Sequence, residues 1–212
     1  MTNFIPIFPL AIVVYPGEKL NLHIFEPRYK QLISECKEAG KPFGIPTVTG
    51  SRLHDMGTLV QADEIAKTYP NGEMDIRVLG IRVFRVLEAT GIVPDKLYSG
   101  AIVNYPDNDM HTDAKLLGKV IQGTRDLHKM MGISKEFPRP EAELTSYDLA
   151  HLAGMTIDEE YQLLTLNQEL QRLEYLRRHL KKALHMAQGL EGLREKVKLN
   201  GHFRNLSGFD IG

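Results

Sequence analysis

Cysteine is almost absent from the sequence, and no apolar run in it is long. The single cysteine, Cys36, excludes an internal disulfide and a zinc site built from several thiolates. A protein without disulfides suits a reducing compartment. The apolar stretch 4–15 is shorter than the roughly 20 residues of a membrane-spanning helix, and prolines interrupt it. Because no basic residue precedes Lys19, a signal peptide is not expected, and the sequence predicts a cytoplasmic protein.

An excess of positive charge is also missing. The net charge of the 212 residues is −1, and basic and acidic residues are nearly balanced on both sides of Pro106. A protein that binds the phosphate backbone of nucleic acids without sequence preference needs a basic surface, so this class is disfavoured. With 42% hydrophobic and 25% charged residues, the composition is that of a folded globular protein.

The motifs of several enzyme classes are missing as well. The sequence contains no phosphate-binding G-x-x-x-x-G-K-[ST] loop, no G-x-S-x-G nucleophile turn and no H-E-x-x-H metal helix. The two histidines of the last predicted helix, His179 and His185, are six residues apart and fall on different helix faces. We therefore predict no catalytic residue, no cofactor site and no metal site.

Three groups of polar or reactive residues allow both a functional and a structural interpretation. Cys36 lies on the apolar stripe of a predicted helix, which favours a buried, inert thiol over a nucleophile. Asp107, Asp109 and Asp113 lack the glycine and terminal glutamate of a calcium loop, so we interpret them as linker and helix N-terminal charges. His23 falls on the polar face of a predicted strand.

Two charged groups are interpreted in the same way. Glu26 and Arg28 either mark a site or fix a strand-to-helix corner, and we favour the corner. The one local concentration of charge is a basic cluster in the last predicted helix. It either binds RNA or a partner or covers a solvent-exposed helix face, where Glu169 and Glu174 would offset it, and we favour the exposed face. Its members are Arg172, Arg177, Arg178, Lys181 and Lys182.

The front half has the pattern of a β-structure. Strands are predicted over 4–15, 19–25, 58–69, 74–79, 81–89 and 98–105, with a short helix that begins at Pro27 and ends near Gly40. Asn71-Gly72 predicts a hairpin with a type I′ turn. No alternation of strands and helices supports a Rossmann-type sheet, and the short strands indicate an antiparallel barrel or sandwich.

The rear half has helical spacing. A helix is predicted from about Leu116 to Met131, ended by Gly132, and a short one follows near 146–153. Thr156 and Glu159 form a capping-box pattern ahead of a further helix. A long helix over 168–188 is predicted to stop at Gly189. The predicted division is 1–106 for the β part, 107–200 for the helical part and 201–212 for an irregular tail.

Several stretches together resemble one known family. Residues 5–10, the Pro16-Gly17 turn and Phe25-Glu26-Pro27-Arg28-Tyr29 resemble the start of the substrate-binding N-terminal domain of Lon-type ATP-dependent proteases. They are especially similar to free-standing bacterial proteins built from that domain alone. Residues 57–60 and 78–86 match its next strands, and 149–153, 163–164 and 173–176 match its helices. The resemblance covers residues 4–185 in order.

The resemblance implies an α+β fold, with a PUA-like antiparallel β-barrel in front and a helical bundle behind. It also implies recognition of unfolded or tagged protein segments. The ATPase and Ser-Lys protease motifs of a full Lon protease do not occur in these residues, so we expect no enzymatic activity and no cofactor. The family supplies no motif for the binding surface, so the residues of that surface stay unknown.

Two functional hypotheses follow. The first is a protein-binding module that acts as an adaptor, a chaperone-like binder or a regulator of proteolysis. In this hypothesis Met110, Met130 and Met131 are candidate contributors to an apolar binding surface, because thioethers adapt to varied partners. The alternative is an RNA-binding accessory protein that uses the PUA-like barrel. A small enzyme whose site matches none of these motifs is a third possibility, which we rank last. The sequence does not identify the partner or the oligomeric state.

Overall fold

The computed structural model describes the backbone of residues 3–91 and 93–203 and the side chains of these residues up to 189. The strands are β1 (Asn3–Pro6), β2 (Lys19–Ile24), β3 (Phe43–Thr49), β4 (Arg52–Thr68), β5 (Met74–Thr90) and β6 (Gly100–Asn104). The helices are α1 (Pro27–Glu38), α2 (Ala114–Met131), α3 (Ser146–Ala150), α4 (Ile157–Leu164) and α5 (Glu169–Phe203), with a 3₁₀ turn at Glu141–Glu143. The predicted α+β class is confirmed.

All six strands belong to one antiparallel sheet with the order β1-β6-β5-β4-β3. Strand β2 pairs with residues 74–79 of β5, and β6 pairs with residues 85–90 of the same strand. The segment that follows β1 then runs beside β3: the amide of Phe8 donates to Gly44 O at 2.8 Å and the amide of Val48 donates to Leu10 O at 2.8 Å. These bonds join the two ends of the sheet, as a barrel requires.

Several strand predictions were wrong: β3 was not predicted, and β4 begins at Arg52 instead of residue 58. Proline and a bulge explain two further differences. Strand β1 ends at Pro6 instead of reaching residue 15, because Pro6 and Pro9 cannot donate to a sheet ladder. The two strands predicted over 74–79 and 81–89 form the single strand β5. Its register against β4 shifts between Gly80 and Arg82, so Ile81 lies in a bulge where a break was expected.

The β4–β5 hairpin forms where it was predicted, but its turn type was wrong. The amide of Gly72 donates to Tyr69 O at 2.9 Å, so Pro70 and Asn71 are the central residues. Of these turn residues, Gly72 alone has positive φ, at 75°. Pro70 fixes the φ of the first central residue, which favours a type I turn followed by a left-handed glycine over type I′.

The predicted start and end of α2 and the predicted start of α4 are confirmed, and the predicted end of α5 was wrong. Asp113 caps α2 by accepting from the amides of Lys115 and Leu116, and Gly132 ends that helix at φ 66°. The capping box at the start of α4 is present. Helix α5, however, continues through Gly189 to Phe203. A single glycine costs a helix only about 1 kcal/mol, which the helical residues around it offset.

The predicted irregular tail, 201–212, is therefore wrong for its first three residues, which belong to α5. The rest of that prediction lies outside the described residues.

The basic cluster on α5 divides into two parts. Arg177 and Arg178 pair with Glu174 on the exposed face, as predicted. Their hydrogen bonds, with that of Arg177 the larger, lower the pKa of Glu174 to about 2. The placement of Arg172 on the solvent face was wrong, because Arg172 and Glu169 are fully buried and paired at 2.9 Å. Charge periodicity cannot distinguish a buried ion pair from an exposed one.

The helical core includes part of the sheet. Val13, Tyr15, Met56 and Val83 from the front half pack in one buried cluster with side chains of α2, α3, α4 and α5. A second cluster lies between α1 and the sheet, and a third lies around Phe84. The two halves therefore share apolar contacts, and a cleft opens where their surfaces meet.

Candidate functional site

A cleft opens between the turn after residue 15 and the first part of the helical half. We call it the turn cleft. Its volume is about 620 Å³, within the range of ordinary ligand sites. Its lining residues come from one turn of the front half and from the segments around α3: Pro16, Gly17, Glu18, Lys19, Lys135, Glu136, Pro138, Arg139, Glu143, Tyr147, Asp148, His151 and Leu152.

The front wall of the turn cleft is a β-turn made by residues 15–18. Pro16 occupies its second position and Gly17 its third, with φ 84°, and the amide of Glu18 donates to Tyr15 O at 3.2 Å. This is the geometry of a type II turn, which needs glycine at the third position. The Pro-Gly pair of the sequence therefore specifies the local structure.

Strand β5 fixes the position of this turn. Gly17 donates to Gly80 O at 2.9 Å, and Gly80 donates to Glu18 O at 2.8 Å. A Cβ atom on Gly80 would overlap the backbone oxygen of Tyr15. Only glycine therefore lets the turn lie against β5, and this contact directs the Glu18 side chain into the cleft.

His151, just after α3, connects the turn to the helical half. Its Nδ1 lies 2.8 Å from Glu160 Oε1 and its Nε2 lies 3.2 Å from Glu18 Oε2. The Glu18 carboxylate also accepts from the amide of Tyr15 at 2.9 Å, and the imidazole packs at 4.9 Å from the Tyr15 ring. One histidine thus joins a carboxylate of the front half to a carboxylate of α4.

The two carboxylates keep His151 protonated. Both ring nitrogens face carboxylate oxygens, and only the imidazolium form can donate from both. Burial by itself lowers the pKa of His151, but the hydrogen bonds to Glu160 and Glu18 outweigh it and raise the pKa to about 9. At neutral pH the cleft therefore contains a positive charge held between two negative ones.

The remaining charges of the turn cleft are of both signs. Arg139 pairs with Asp148 at 3.0 Å, whereas Lys19, Lys135 and Glu143 are exposed at its edges. Its base is apolar and aromatic: the buried Tyr147 stacks on Tyr15 with 5.3 Å between ring centroids. Burial is the main cause that raises the pKa of Tyr15, so its phenol stays neutral.

This arrangement can bind but shows no constellation for covalent chemistry. No serine, threonine or cysteine lines the turn cleft. Across the described part of the chain, no group of three or more His, Cys, Asp or Glu side chains is arranged so that it could hold a metal ion. Balanced charges, a proline on each wall and an aromatic base suit a polypeptide segment, which presents backbone amides and side chains of either charge.

The methionines nominated from the sequence are not brought together in the turn cleft. Met131 and Met110 are exposed, and Met130 is half-buried. Met110 contacts the buried Arg172, whose guanidinium lies 3.1 Å from its sulfur. None of the three lines the cleft.

The other nominated residues mostly have the structural roles that we favoured. Glu26 and Arg28 form a salt bridge at 2.6 Å where β2 leads into α1. Cys36 is buried, which raises the pKa of its thiol to about 11. His23 is half-exposed, as expected of a polar strand face, and its hydrogen bond to Asp75 raises its pKa. His179 binds the carbonyl of Ala153.

Sequence reasoning missed the most connected residues of the site. Glu18 and His151 are 133 positions apart, and Glu160 lies on another helix. No local motif links such residues, since only the packing of the turn against α3 brings them together. The Pro-Gly pair before Glu18 was the one usable signal, because it indicates a fixed turn.

The fold and the cleft define a class: an antiparallel sheet closed on itself, joined to helices by a shared core, with a cleft at the junction. The model of the ATP-dependent protease La (LON) substrate-binding domain family matches residues 5–182. The chain therefore belongs to the LON substrate-binding domain family.

Solved structures of the same fold are similar. A Lon N-terminal domain protein from Xanthomonas campestris superposes with a TM-score of 0.62 at 24% identity, covering 82% of this chain and 96% of that one. The N-terminal domain of a Mycobacterium avium complex Lon protease superposes with a TM-score of 0.60 at 16% identity, covering 84% and 98%. These likenesses confirm the predicted fold.

The helices in the described ranges were also compared with the requirements of a bilayer. None of them is both long enough and apolar enough to cross a membrane.

Proposed function

We propose that this protein is a non-catalytic recognition module that binds unfolded or tagged segments of other proteins, as an adaptor, a chaperone-like binder or a regulator of proteolysis. The observation that carries the proposal is the match of the LON substrate-binding domain model to residues 5–182. We further propose that it acts in the cytoplasm, in keeping with its single buried cysteine.

The turn cleft is the proposed binding site. Its volume of about 620 Å³ accommodates a few residues of an extended segment. The exposed Lys19 and Glu143 offer partners of both signs at its edges, and Pro16 and Pro138 supply rigid apolar contacts. A site of this kind tolerates many sequences, as a receptor for unfolded proteins must.

The test is a binding measurement with the full chain. A small protein, labelled with a fluorophore and kept unfolded by mutation, is titrated with the wild type and the change in fluorescence anisotropy is recorded. Glu143→Trp places a bulky ring at the mouth of the cleft and is expected to weaken binding about tenfold. Lys119→Trp adds the same bulk on the exposed face of α2 and serves as the matched control.

The results separate the function from the site. Binding that Glu143→Trp weakens and Lys119→Trp leaves unchanged supports both proposals. Equal binding by all three proteins would mean that the binding site lies outside the turn cleft. If the wild type binds no unfolded protein, the recognition function is wrong.

A further inference from the structure

A second pocket lies at the end of α2, next to the turn cleft. We call it the α2-end pocket. It has a volume of about 430 Å³, and the last turns of α2 and the residues that follow them form its walls. Its lining residues are Arg125, His128, Lys129, Ile133, Ser134, Lys135, Glu136 and Phe137. Lys135 and Glu136 line both pockets, so the two are neighbours.

The helix C-terminus builds this pocket. Gly132 adopts the left-handed conformation, and the amides of Gly132 and Ile133 donate to the carbonyls of Lys129 and His128. The chain therefore turns back beside α2, and the last carbonyls of the helix are partly satisfied within the protein. His128 is buried and its Nε2 lies 2.8 Å from Leu152 O, which makes this wall rigid.

Two of the eight residues that line the α2-end pocket, Ile133 and Phe137, are apolar. Ile133 is 46% exposed, and Phe137 lines the same pocket. Phe137 packs against the helical core, and the guanidinium of Arg125 lies 5.5 Å from its ring centroid. An exposed isoleucine beside an anchored aromatic ring can receive one large apolar side chain.

The rim of the pocket is basic. Arg125, Lys129 and Lys135 are exposed and line it, whereas Glu136 is the one acidic residue in the lining. Arg125 pairs with Glu141. No carboxylate in the side chains described through residue 189 lies within ion-pair distance of Lys129 or Lys135. Two lysines of the lining are thus available to a ligand.

We propose that the α2-end pocket recognises acidic protein segments that carry a large apolar side chain. The apolar residue enters between Ile133 and Phe137, and flanking Asp or Glu side chains reach Lys129 and Lys135. This inference rests on the proposed recognition function and specifies its substrate class. A nucleic acid would satisfy the lysines, but its phosphates would leave Ile133 and Phe137 without an apolar contact, so a peptide fits better.

The experiment uses the full chain and three labelled twelve-residue peptides that share one central Phe-Leu pair. The flanking residues are Asp and Glu in the first, Asn and Gln in the second, and Lys and Arg in the third. The acidic peptide is expected to bind at least about tenfold more tightly than the basic one, and its affinity is expected to fall as salt rises.

Two variants locate the binding. Lys129→Glu combined with Arg125→Gln changes residues that line only this pocket and is expected to weaken the acidic peptide about tenfold, and Ile133→Ser is expected to weaken all three peptides about fivefold. Lys119→Glu, on the exposed face of the same helix, is the matched control and should change nothing. Circular dichroism of each variant verifies that it is folded.

Three outcomes overturn the inference. The first is equal affinity for the acidic and basic peptides, and the second is a loss with Lys119→Glu as large as that with the double variant. The third is displacement of the acidic peptide by an RNA oligonucleotide that binds more tightly than it does. If the double variant still binds the labelled unfolded protein normally, the recognition function stands and only this substrate class is wrong.

Discussion

At the residue scale, two charged networks, one partly exposed and one buried, connect parts of the chain that are distant in sequence. The first is the Glu18–His151–Glu160 contact at the turn cleft. The second surrounds Arg172, which donates to Glu169, Asn108 and the carbonyl of Leu166. The first network joins the two halves of the chain at the cleft. The second holds the linker residues Asn108 and Asp109 against α5.

His151 predicts a pH dependence of stability. Its pKa is raised to about 9 in the folded state, above the value near 6.5 of an unfolded histidine. Its contribution is therefore fully present below about pH 6.5 and is lost as the pH rises through about 9. We expect the free energy of unfolding of the wild type to fall across this window relative to His151→Gln, measured by urea denaturation. Parallel curves for the two proteins would contradict the assignment.

Arg172 predicts a large loss of stability. Arg172→Ala leaves Glu169 buried without its cation, which is expected to lower the free energy of unfolding by about 3–5 kcal/mol. The control Arg178→Ala removes an exposed ion pair on the same helix and is expected to cost at most about 0.5 kcal/mol. Urea denaturation of both variants measures the difference. Similar values would mean that the buried pair does not stabilise the fold.

At the element scale, the glycines of the sheet show how strand packing positions the cleft. Gly80 lies in β5 where the turn 15–18 crosses it, between the part that pairs with β2 and the part that pairs with β6. Gly57 in β4 likewise has the backbone oxygen of Ile45 at 2.5 Å from the position of a Cβ atom. Close backbone contacts, and not turn geometry, explain why these positions need glycine.

Gly80→Ala is expected to lower the free energy of unfolding by about 3 kcal/mol, because its methyl group would displace the backbone of Tyr15. Gly118→Ala is the matched control, since a Cβ atom there meets open space on α2 and should stabilise that helix by about 0.5–1 kcal/mol. Thermal unfolding followed by circular dichroism distinguishes the two. A neutral Gly80→Ala would show that the turn can move without cost.

The elements also show what sequence reasoning can predict. Helix caps depend on neighbouring residues and were predicted correctly, as at Gly132 and at Thr156 with Glu159. The end of α5 was predicted wrongly, because a single glycine does not end a helix whose neighbouring residues are helical. The burial of Arg172 was predicted wrongly, because it depends on contacts with distant segments. The cleft residues Glu18 and His151 were missed for the same reason.

At the scale of the whole molecule, the halves are coupled through a common core. The division at residue 106 stays a prediction, but Val13, Tyr15, Met56 and Val83 pack among helical side chains. We therefore expect one cooperative transition in calorimetry of the full chain. A fragment of residues 1–106 would expose these apolar side chains and should unfold at a lower temperature. Two separate transitions in the full chain would contradict this coupling.

The central claim is that the turn cleft receives segments of unfolded proteins, and hydrogen–deuterium exchange tests it most directly. The full chain is exchanged alone and with an excess of the unfolded protein, and the protection of each peptide is compared. We expect slower exchange in residues 16–19 and 135–152 when the unfolded protein is bound. Binding that protects only segments away from the cleft, such as β1 and β6, would contradict it.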